Sequence, residues 1–221
     1  MAKVKTGIVR FSYVHLFEPH KISEDQDPTY SVMAIIDKDD KATLSALQKA
    51  YKEAIQEGKE RYGEKFAPTP FVRAEGGNRG VVIDADKDPR YMDNKDFAGH
   101  YLMNAKSKTI PGVLAKETGR TRLTPENGSE IVYSGCYGKL SISLFPYSNM
   151  GFGIGVGLNN VLKTKDGAYL GGRASAEADF ADELDDDEDL DELLEDTAHR
   201  PGNLLLSRPG PVRSLQIRGK P

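Results

Sequence analysis

Hydrophobic and polar positions alternate most regularly in the C-terminal third of the chain. In the segment 139–147 (KLSISLFPY), aliphatic residues occupy every second position, at Leu140, Ile142 and Leu144. Successive side chains of a β-strand point to opposite faces of the sheet. The segment is therefore predicted to be a strand with one aliphatic face, while the other face carries a cation, two hydroxyls and two aromatic rings: Lys139, Ser141, Ser143, Phe145 and Tyr147.

The next segment, 151–158, has the same period but places glycine on one of its two faces. Apolar residues alternate there with Gly151, Gly153, Gly155 and Gly157. Glycine weakens a strand, and a row of glycines marks either a sharp bend, as at a barrel corner, or a close approach by another backbone or a ligand. The sequence leaves these alternatives open.

The N-terminal part of the chain predicts further strands and one helix. Leu44, Leu47, Tyr51 and Ile55 recur at intervals of three and four residues, which indicates one buried helix face. Asp39 or Asp40 is suited to cap this helix, which is expected to end near Tyr62. The predicted extended segments are Lys3–Phe17, ended by Pro19; Tyr30–Ile36; the short apolar piece 81–84; and Tyr101–Ala105, followed by a basic, hairpin-like segment 106–108. Strands interrupted by one helix predict a small β-barrel.

Charge is distributed unevenly along the chain. The segment 179–196 contains twelve acidic residues and no basic one, although residues 1–176 carry 25 Lys and Arg against 21 Asp and Glu. A mildly basic body joined to a dense polyanion indicates a domain that binds a polyanion and carries a mimic of it. The alternative is a disordered tail that only increases solubility.

Composition and motifs argue against several functional classes. Cys136 is the single cysteine, which predicts a reducing, cytoplasmic location, and no apolar run approaches the ~20 residues of a membrane span. The four histidines form no zinc motif, and no phosphate-binding glycine loop is present. We therefore expect no catalytic activity, no cofactor and no metal. One alternative stays open, a metal-dependent nuclease built on the aspartates at positions 84, 86, 88, 93 and 96.

Aromatic residues interleaved with cations on strands are typical of sites for single-stranded nucleic acid. Bases stack on Tyr and Phe while Lys and Arg neutralise the phosphates between them. The candidate residues lie on two predicted strands, on the basic segment that follows the second strand, and on one glycine-rich segment (PFVRAEGGNRG): Lys139, Phe145 and Tyr147; Tyr101, Lys106 and Lys108; and Arg73 and Arg79. Phe11, Phe17, Tyr51 and Phe152 are assigned to the core, and Cys136 is expected to be a small buried residue.

Four features together resemble one protein family. They are the MAK start, YSVMAIIDKDD leading into the helix, GSEIVYSGCYGKLSISLFPYSN, and the acid-rich tail. The chain resembles the single-stranded DNA-binding proteins of tailed phages of the podovirus replication type. The resemblance implies a mainly β fold, an OB-fold-like five-stranded barrel with one helix inserted between strands and a disordered C-terminal tail. It also implies that Lys139 and Tyr147 contact DNA, whereas a second aromatic position is taken here by Asn149.

The resemblance gives the expected domain organisation and partners. Residues 1–172 are expected to form the DNA-binding domain and 173–196 the acidic tail. Residues 197–221 depart from the family, whose tails normally finish with acidic residues and a terminal aromatic, and are expected to be a basic, Pro- and Gly-rich disordered extension that is either natural or an added sequence. The tail would recruit replication proteins such as polymerase or helicase-primase and compete with DNA, through Phe180, Asp185, Asp186, Asp187, Glu188 and Asp189. The expected role is phage DNA replication or recombination in the cytoplasm of the infected host, as a monomer or dimer. The alternative is an adaptor that binds basic proteins and no DNA.

Overall fold

The computed structural model of the protein describes residues 1–21, 27–73, 75, 77, 79–149 and 151–171. In chain order the elements are β1 (Ala2–Lys5), β2 (Val9–His20), β3 (Thr29–Asp37), α1 (Lys41–Tyr62), β4 (Ile83–Asp84), β5 (His100–Ser107), β6 (Gly112–Ala115), α2 (Pro125–Ile131), β7 (Tyr137–Tyr147) and β8 (Gly153–Lys165). No helix among these residues is both long and apolar enough to cross a membrane.

The strands close into a barrel. Going around it, β2 pairs with β3, β3 with β5, β5 with β8, β8 with β7, and β7 returns to β2. All these pairings are antiparallel except β5–β8, which is parallel. β1 and β2 lie one after the other along the same edge of β7, and β5 and β6 lie one after the other along β8. The predicted barrel of five strand positions with one inserted helix is confirmed.

The barrel interior is filled by the aliphatic faces that the alternation predicts. Leu140, Ile142 and Leu144 of β7 are fully buried, together with Phe11 of β2 and Met103 of β5. Fully burying an aliphatic or aromatic side chain stabilises a fold by about 1.5–3 kcal/mol, so these rows hold the strands together. The placement of Phe11, Phe17, Tyr51 and Phe152 in or against the core is confirmed.

Helix α1 begins and ends where the sequence predicts. The Asp40 carboxylate accepts a hydrogen bond from the Thr43 amide at 2.9 Å, which satisfies one of the free amide groups of the first turn. Leu47, Ala50 and Ala54 form the buried face. This face packs against β1, β7 and β8. The buried face of the helix therefore belongs to the same hydrophobic core as the barrel interior.

Three local predictions differ from the structure, and two short elements have no predicted counterpart. Lys3–Phe17 is interrupted between β1 and β2, and Pro19 does not end β2, which continues to His20. Proline is tolerated in a strand where its nitrogen has no ladder hydrogen bond to make. Lys106 belongs to β5, which runs to Ser107, rather than to a hairpin. The short elements β6 and α2 were not predicted, because four and seven residues are too few to show a period.

Candidate nucleic-acid interface

The two aromatic rings of β7 lie across the glycines of β8. Phe145 is paired with Gly155, and Tyr147 is paired with Gly153. Directly opposite residues of an antiparallel pair point to the same face of the sheet. Each ring is half-buried and lies where the side chain of the opposite residue would otherwise be.

The space that the glycines leave is needed for these rings. A Cβ added to Gly153 would lie 2.4 Å from Cζ of Tyr147, and one added to Gly155 would lie 2.7 Å from Cζ of Phe145. Both distances are well inside van der Waals contact. The sequence leaves open whether the row of glycines marks a sharp bend or a close approach by another group. At these two positions the structure shows a close approach, and the approaching groups are aromatic side chains rather than a backbone.

A groove of about 660 Å³ opens beside these rings on the outer face of the barrel. Its floor comes from β5, β7 and β8, and the segment between α1 and β4 contributes to its lining. In β5 the groove-lining residues Asn104 and Lys106 alternate with the interior residues Met103 and Ala105. Of the eight residues that the sequence predicts to bind nucleic acid, six line this groove: Arg73, Arg79, Lys106, Lys108, Phe145 and Tyr147.

Arg73 is a largely enclosed cation of the groove. Its Nη1 lies 3.7 Å from an oxygen of Asp88, and its side chain is only 15% exposed. Burial, followed by the nearby charge of Arg90, lowers the pKa of Arg73, while Asp88 raises it. Nε and Nη1 are buried and donate no hydrogen bond to any described residue. Buried donors without acceptors are unfavourable, so an anion near Arg73 would find a cation whose charge is incompletely compensated.

Arg79 and Lys108 lie at the rim. The guanidinium of Arg79 lies against the turn between β7 and β8, where a Cβ added to Gly151 would be 2.8 Å from its Nη1. Lys108 forms an ion pair with Asp27 at 3.1 Å, and both side chains are largely exposed. Exposed ion pairs contribute about 0–1 kcal/mol. A phosphate can therefore replace Asp27 at little cost.

Lys106 is a half-buried cation on the groove floor. Burial lowers the pKa of its ammonium group below the ordinary 10.5. No described residue forms an ion pair or hydrogen bond with it. Loss of hydration without a compensating charge disfavours the protonated form, and a bound phosphate would supply that charge.

Lys139 lies on the same outer face of β7 but outside the groove. It is exposed, and six residues of strand separate it from Phe145, which corresponds to about 20 Å. Two lysines that the sequence does not predict to bind nucleic acid lie beside the part of β7 between Lys139 and Phe145. Lys3 is paired with Ser143 and Lys5 with Ser141, and both are exposed. The alternation of apolar residues and lysines in β1 (AKVK) can be read from the sequence. Only the pairing of β1 with β7 shows that Lys3 and Lys5 lie beside the candidate site.

Tyr101 is not brought to the groove. It belongs to the same face of β5 as Met103 and packs against the main core. The ammonium group of Lys38 lies 5.2 Å from the centre of its ring. The tail residues Phe180, Asp185, Asp186, Asp187, Glu188 and Asp189 lie outside the described residues.

Three of the five aspartates considered for a nuclease are held by cations. The ammonium group of Lys38 hydrogen-bonds Asp84 at 2.5 Å and Asp86 at 2.6 Å, and Arg90 hydrogen-bonds Asp88 at 2.6 and 2.9 Å. The hydrogen bond from Arg90 lowers the pKa of Asp88. Within the described ranges no group of three His, Cys, Asp or Glu side chains could hold a metal ion.

Cys136 is a core residue, as predicted. It is fully buried, and this burial raises the pKa of its thiol to about 11. A nucleophilic cysteine requires the thiolate form at neutral pH. The environment of Cys136 opposes that form.

A family comparison and two structural comparisons place the chain among phage proteins. The family model described as "Enterobacter phage Enc34, ssDNA-binding protein" matches residues 2–191. The structure of the single-stranded DNA-binding protein from bacteriophage Enc34 in complex with ssDNA is similar, with a TM-score of 0.61 and 28% identity, over 77% of this chain and 90% of that one. The structure of gp2.5, a single-stranded DNA-binding protein encoded by bacteriophage T7, shares the fold, with a TM-score of 0.50 and 17% identity over 82% and 93% of the two chains.

A curated relative extends this similarity. "Putative protein p50" of Acyrthosiphon pisum secondary endosymbiont phage 1 is 27% identical over 182 residues, which are 81% of this chain and 93% of the relative. The range that the family model matches, residues 2–191, includes every strand of the barrel. The groove and its rings thus belong to the part of the chain that the family model covers.

Proposed function

Because the chain belongs to the family of the Enterobacter phage Enc34 ssDNA-binding protein, we propose that it binds single-stranded DNA in the groove of the barrel, with little sequence preference and without catalysis. The observation that carries this proposal is the pair of rings, Phe145 and Tyr147, in a groove that four cations also line. Stacking on an aromatic ring is open to every base. Among the described residues no helix lines the groove, where it could read base edges, which supports binding that depends little on sequence.

The groove distinguishes single strands from duplexes by what each exposes. The bases of a duplex are stacked on each other, so their faces are not available to Phe145 and Tyr147. The cations Arg73, Arg79, Lys106 and Lys108 would bind phosphates of either form. Selectivity for single strands therefore depends on the rings, and affinity for both forms depends on the cations.

Titration with fluorescent oligo-dT and a matched duplex at several salt concentrations tests the proposal. If the four groove cations each neutralise one phosphate, log K for the single strand should fall with log[salt] with a slope of about −3; if Lys3, Lys5 and Lys139 also take part, the slope should be about −5. Equal affinity for duplex and single strand, or binding that does not respond to salt, would contradict the proposal and favour an adaptor that does not bind DNA.

Affinity is also expected to depend on pH through Lys106. A bound phosphate would raise its lowered pKa, so binding takes up a proton at pH values around and above the pKa of the free protein. Affinity should be highest at neutral pH, where Lys106 is protonated. It should fall as the pH rises through the lowered pKa of Lys106 in the unbound protein, at a pH below that at which an ordinary lysine loses its charge. Oligo-dA is the suitable ligand, since its bases do not deprotonate in this range. Lys106→Arg should flatten the profile, because a guanidinium keeps its charge; identical profiles would exclude Lys106 from the effect.

The proposed biological setting is DNA replication or recombination of a phage, in the cytoplasm of the infected host. The proposed domain organisation is the DNA-binding domain 1–172, the acidic tail 173–196 and the extension 197–221. A protein that coats single strands must be displaced by replication enzymes, and the acid-rich segment 179–196 supports a role in recruiting such partners, polymerase or helicase-primase among them. Its charge also supports competition with DNA for the groove cations.

Truncation after Ser175 is expected to tighten ssDNA binding, most at low salt, and to abolish capture of replication partners. Covalent linkage would give the tail an effective concentration on the order of millimolar for a site on the same chain, so removing it would remove a competitor. Affinities of the full and truncated chains are compared at two salt concentrations. The tail added as a free peptide should inhibit the truncated chain if it contacts the groove. Equal affinities of the two chains would reduce the tail to a solubilising segment.

A further inference from the structure

Tyr13 adopts an unusual backbone conformation in β2. Its φ angle is 46°, the only positive value at a non-glycine residue in the described part of the chain. This left-handed region is unfavourable for residues with a side chain. The ring is also 54% exposed, although it lies in the middle of a strand. A large exposed ring therefore occupies a position where glycine would be favoured.

The conformation directs the ring outward. β2 pairs with β3 through Ser12 and Met33 and again through His15 and Ser31, with a bulge between these pairs. Strict alternation after the outward-facing Ser12 would place residue 13 in the barrel interior. In the bulge Val14 packs against the core instead, and Tyr13 is exposed to solvent.

The bulge lies at the same level of the barrel as the groove. Met33 is paired with Asn104, and Ser31 with Lys106, and both partners line the groove. Tyr13 is therefore two strand spacings from the groove-lining strand β5, a distance of about 10 Å across the sheet. The exposed ring is aligned with the groove in the direction perpendicular to the strands.

A cationic and aromatic surface connects the two places. Arg73, on the groove wall, and Arg90 both pair with the buried Asp88, so this group of three keeps a net positive charge. The guanidinium of Arg90 lies 5.5 Å from the centre of the Tyr91 ring. Tyr91 packs over the cluster that contains Met33, and it is close enough to both Arg73 and Tyr13 to interact with them electrostatically.

We propose that Tyr13 is a further base-stacking platform and that the bound strand leaves the groove past Arg73 and Tyr91, crossing β3 to reach β2. This inference rests on the proposed function and extends the binding site beyond the groove. The ligand is single-stranded nucleic acid, because only unpaired bases offer faces to an isolated exposed ring while Arg90 attracts the neighbouring phosphate. The bulge then serves to hold the ring outward.

The test compares oligo-dT of about 4 and about 16 nucleotides, the two ends of the range for one OB fold. Tyr13→Ala and Tyr13→Gly are each expected to weaken binding of the longer oligonucleotide about tenfold and to leave binding of the shorter one unchanged. Tyr13→Phe keeps the ring and should bind both as the unmodified protein does. Ile8→Ala is a matched control, since Ile8 is 53% exposed and precedes the same strand.

Thermal unfolding separates stacking from a structural role. Tyr13→Gly relieves the unfavourable φ, so its melting temperature should be equal to or above that of the unmodified protein while binding of the longer oligonucleotide weakens. If Tyr13→Gly and Tyr13→Ala bind the longer oligonucleotide as tightly as the unmodified protein, the inference is overturned. The shorter oligonucleotide keeps the two proposals apart, because failure of the unmodified protein to bind it would overturn the groove site itself.

Discussion

The double variant Phe145→Ala/Tyr147→Ala is expected to lose about 2–6 kcal/mol of ssDNA binding free energy, because each ring contributes roughly 1–3 kcal/mol when a base stacks on it. The loss corresponds to a factor between about 30 and about 10⁴ in affinity. The single variants should each lose about half of that free energy. Binding to duplex DNA, which depends on the cations, should change little.

The outer face of β7 provides the control. Ser141→Ala removes a hydroxyl group from the same face without removing a ring. Affinity is measured by fluorescence anisotropy, and circular dichroism establishes the folded fraction of each variant. If the double variant loses stability but binds as tightly per folded molecule, the rings pack the sheet and do not stack bases. Equal losses for single-stranded and duplex DNA would mean that the rings do not confer selectivity.

The parts of the fold that the sequence predicts are those that local patterns determine. The alternation from Leu140 to Leu144 identifies the buried face of β7, and Asp40 with the spacing from Leu44 identifies α1. β6 has no such signal. Its four residues form a strand because they pair with the edge of β8, whose residues are nearly 50 positions away in the sequence.

The alternation of side chains along a strand predicts which candidate residues share one face of the sheet. Lys106 and Tyr101 belong to the same predicted group of binding residues, but they are an odd number of residues apart and therefore lie on opposite faces of β5. Lys3 and Lys5 join the site only through the pairing of β1 with β7. The role of Tyr13 depends on its positive φ angle. A sequence does not indicate a positive φ angle at a residue other than glycine.

Adding methyl groups beneath the rings should have an effect close to that of removing them. The variant Gly153→Ala/Gly155→Ala places Cβ atoms 2.4 Å from Tyr147 and 2.7 Å from Phe145. Neither glycine has a positive φ, so alanine fits the backbone, and the contacted atoms are the outer ends of side chains that can turn away. The rings should tilt off the sheet while the barrel stays folded.

The expected result is an ssDNA affinity that falls by up to the roughly 2–6 kcal/mol of two lost stacking platforms, with a melting temperature equal to or above the original, since alanine is less costly than glycine in an element interior. Gly157→Ala is the matched control, because its Cβ would lie 3.3 Å from Phe145, a contact that a small shift relieves. Weak binding by the ring-deletion variant together with full binding by the alanine variant would show that DNA needs the rings but not their flat position on β8. Weak binding by both, with Gly157→Ala unaffected, would establish that the glycines of β8 are there to set the plane on which bases stack.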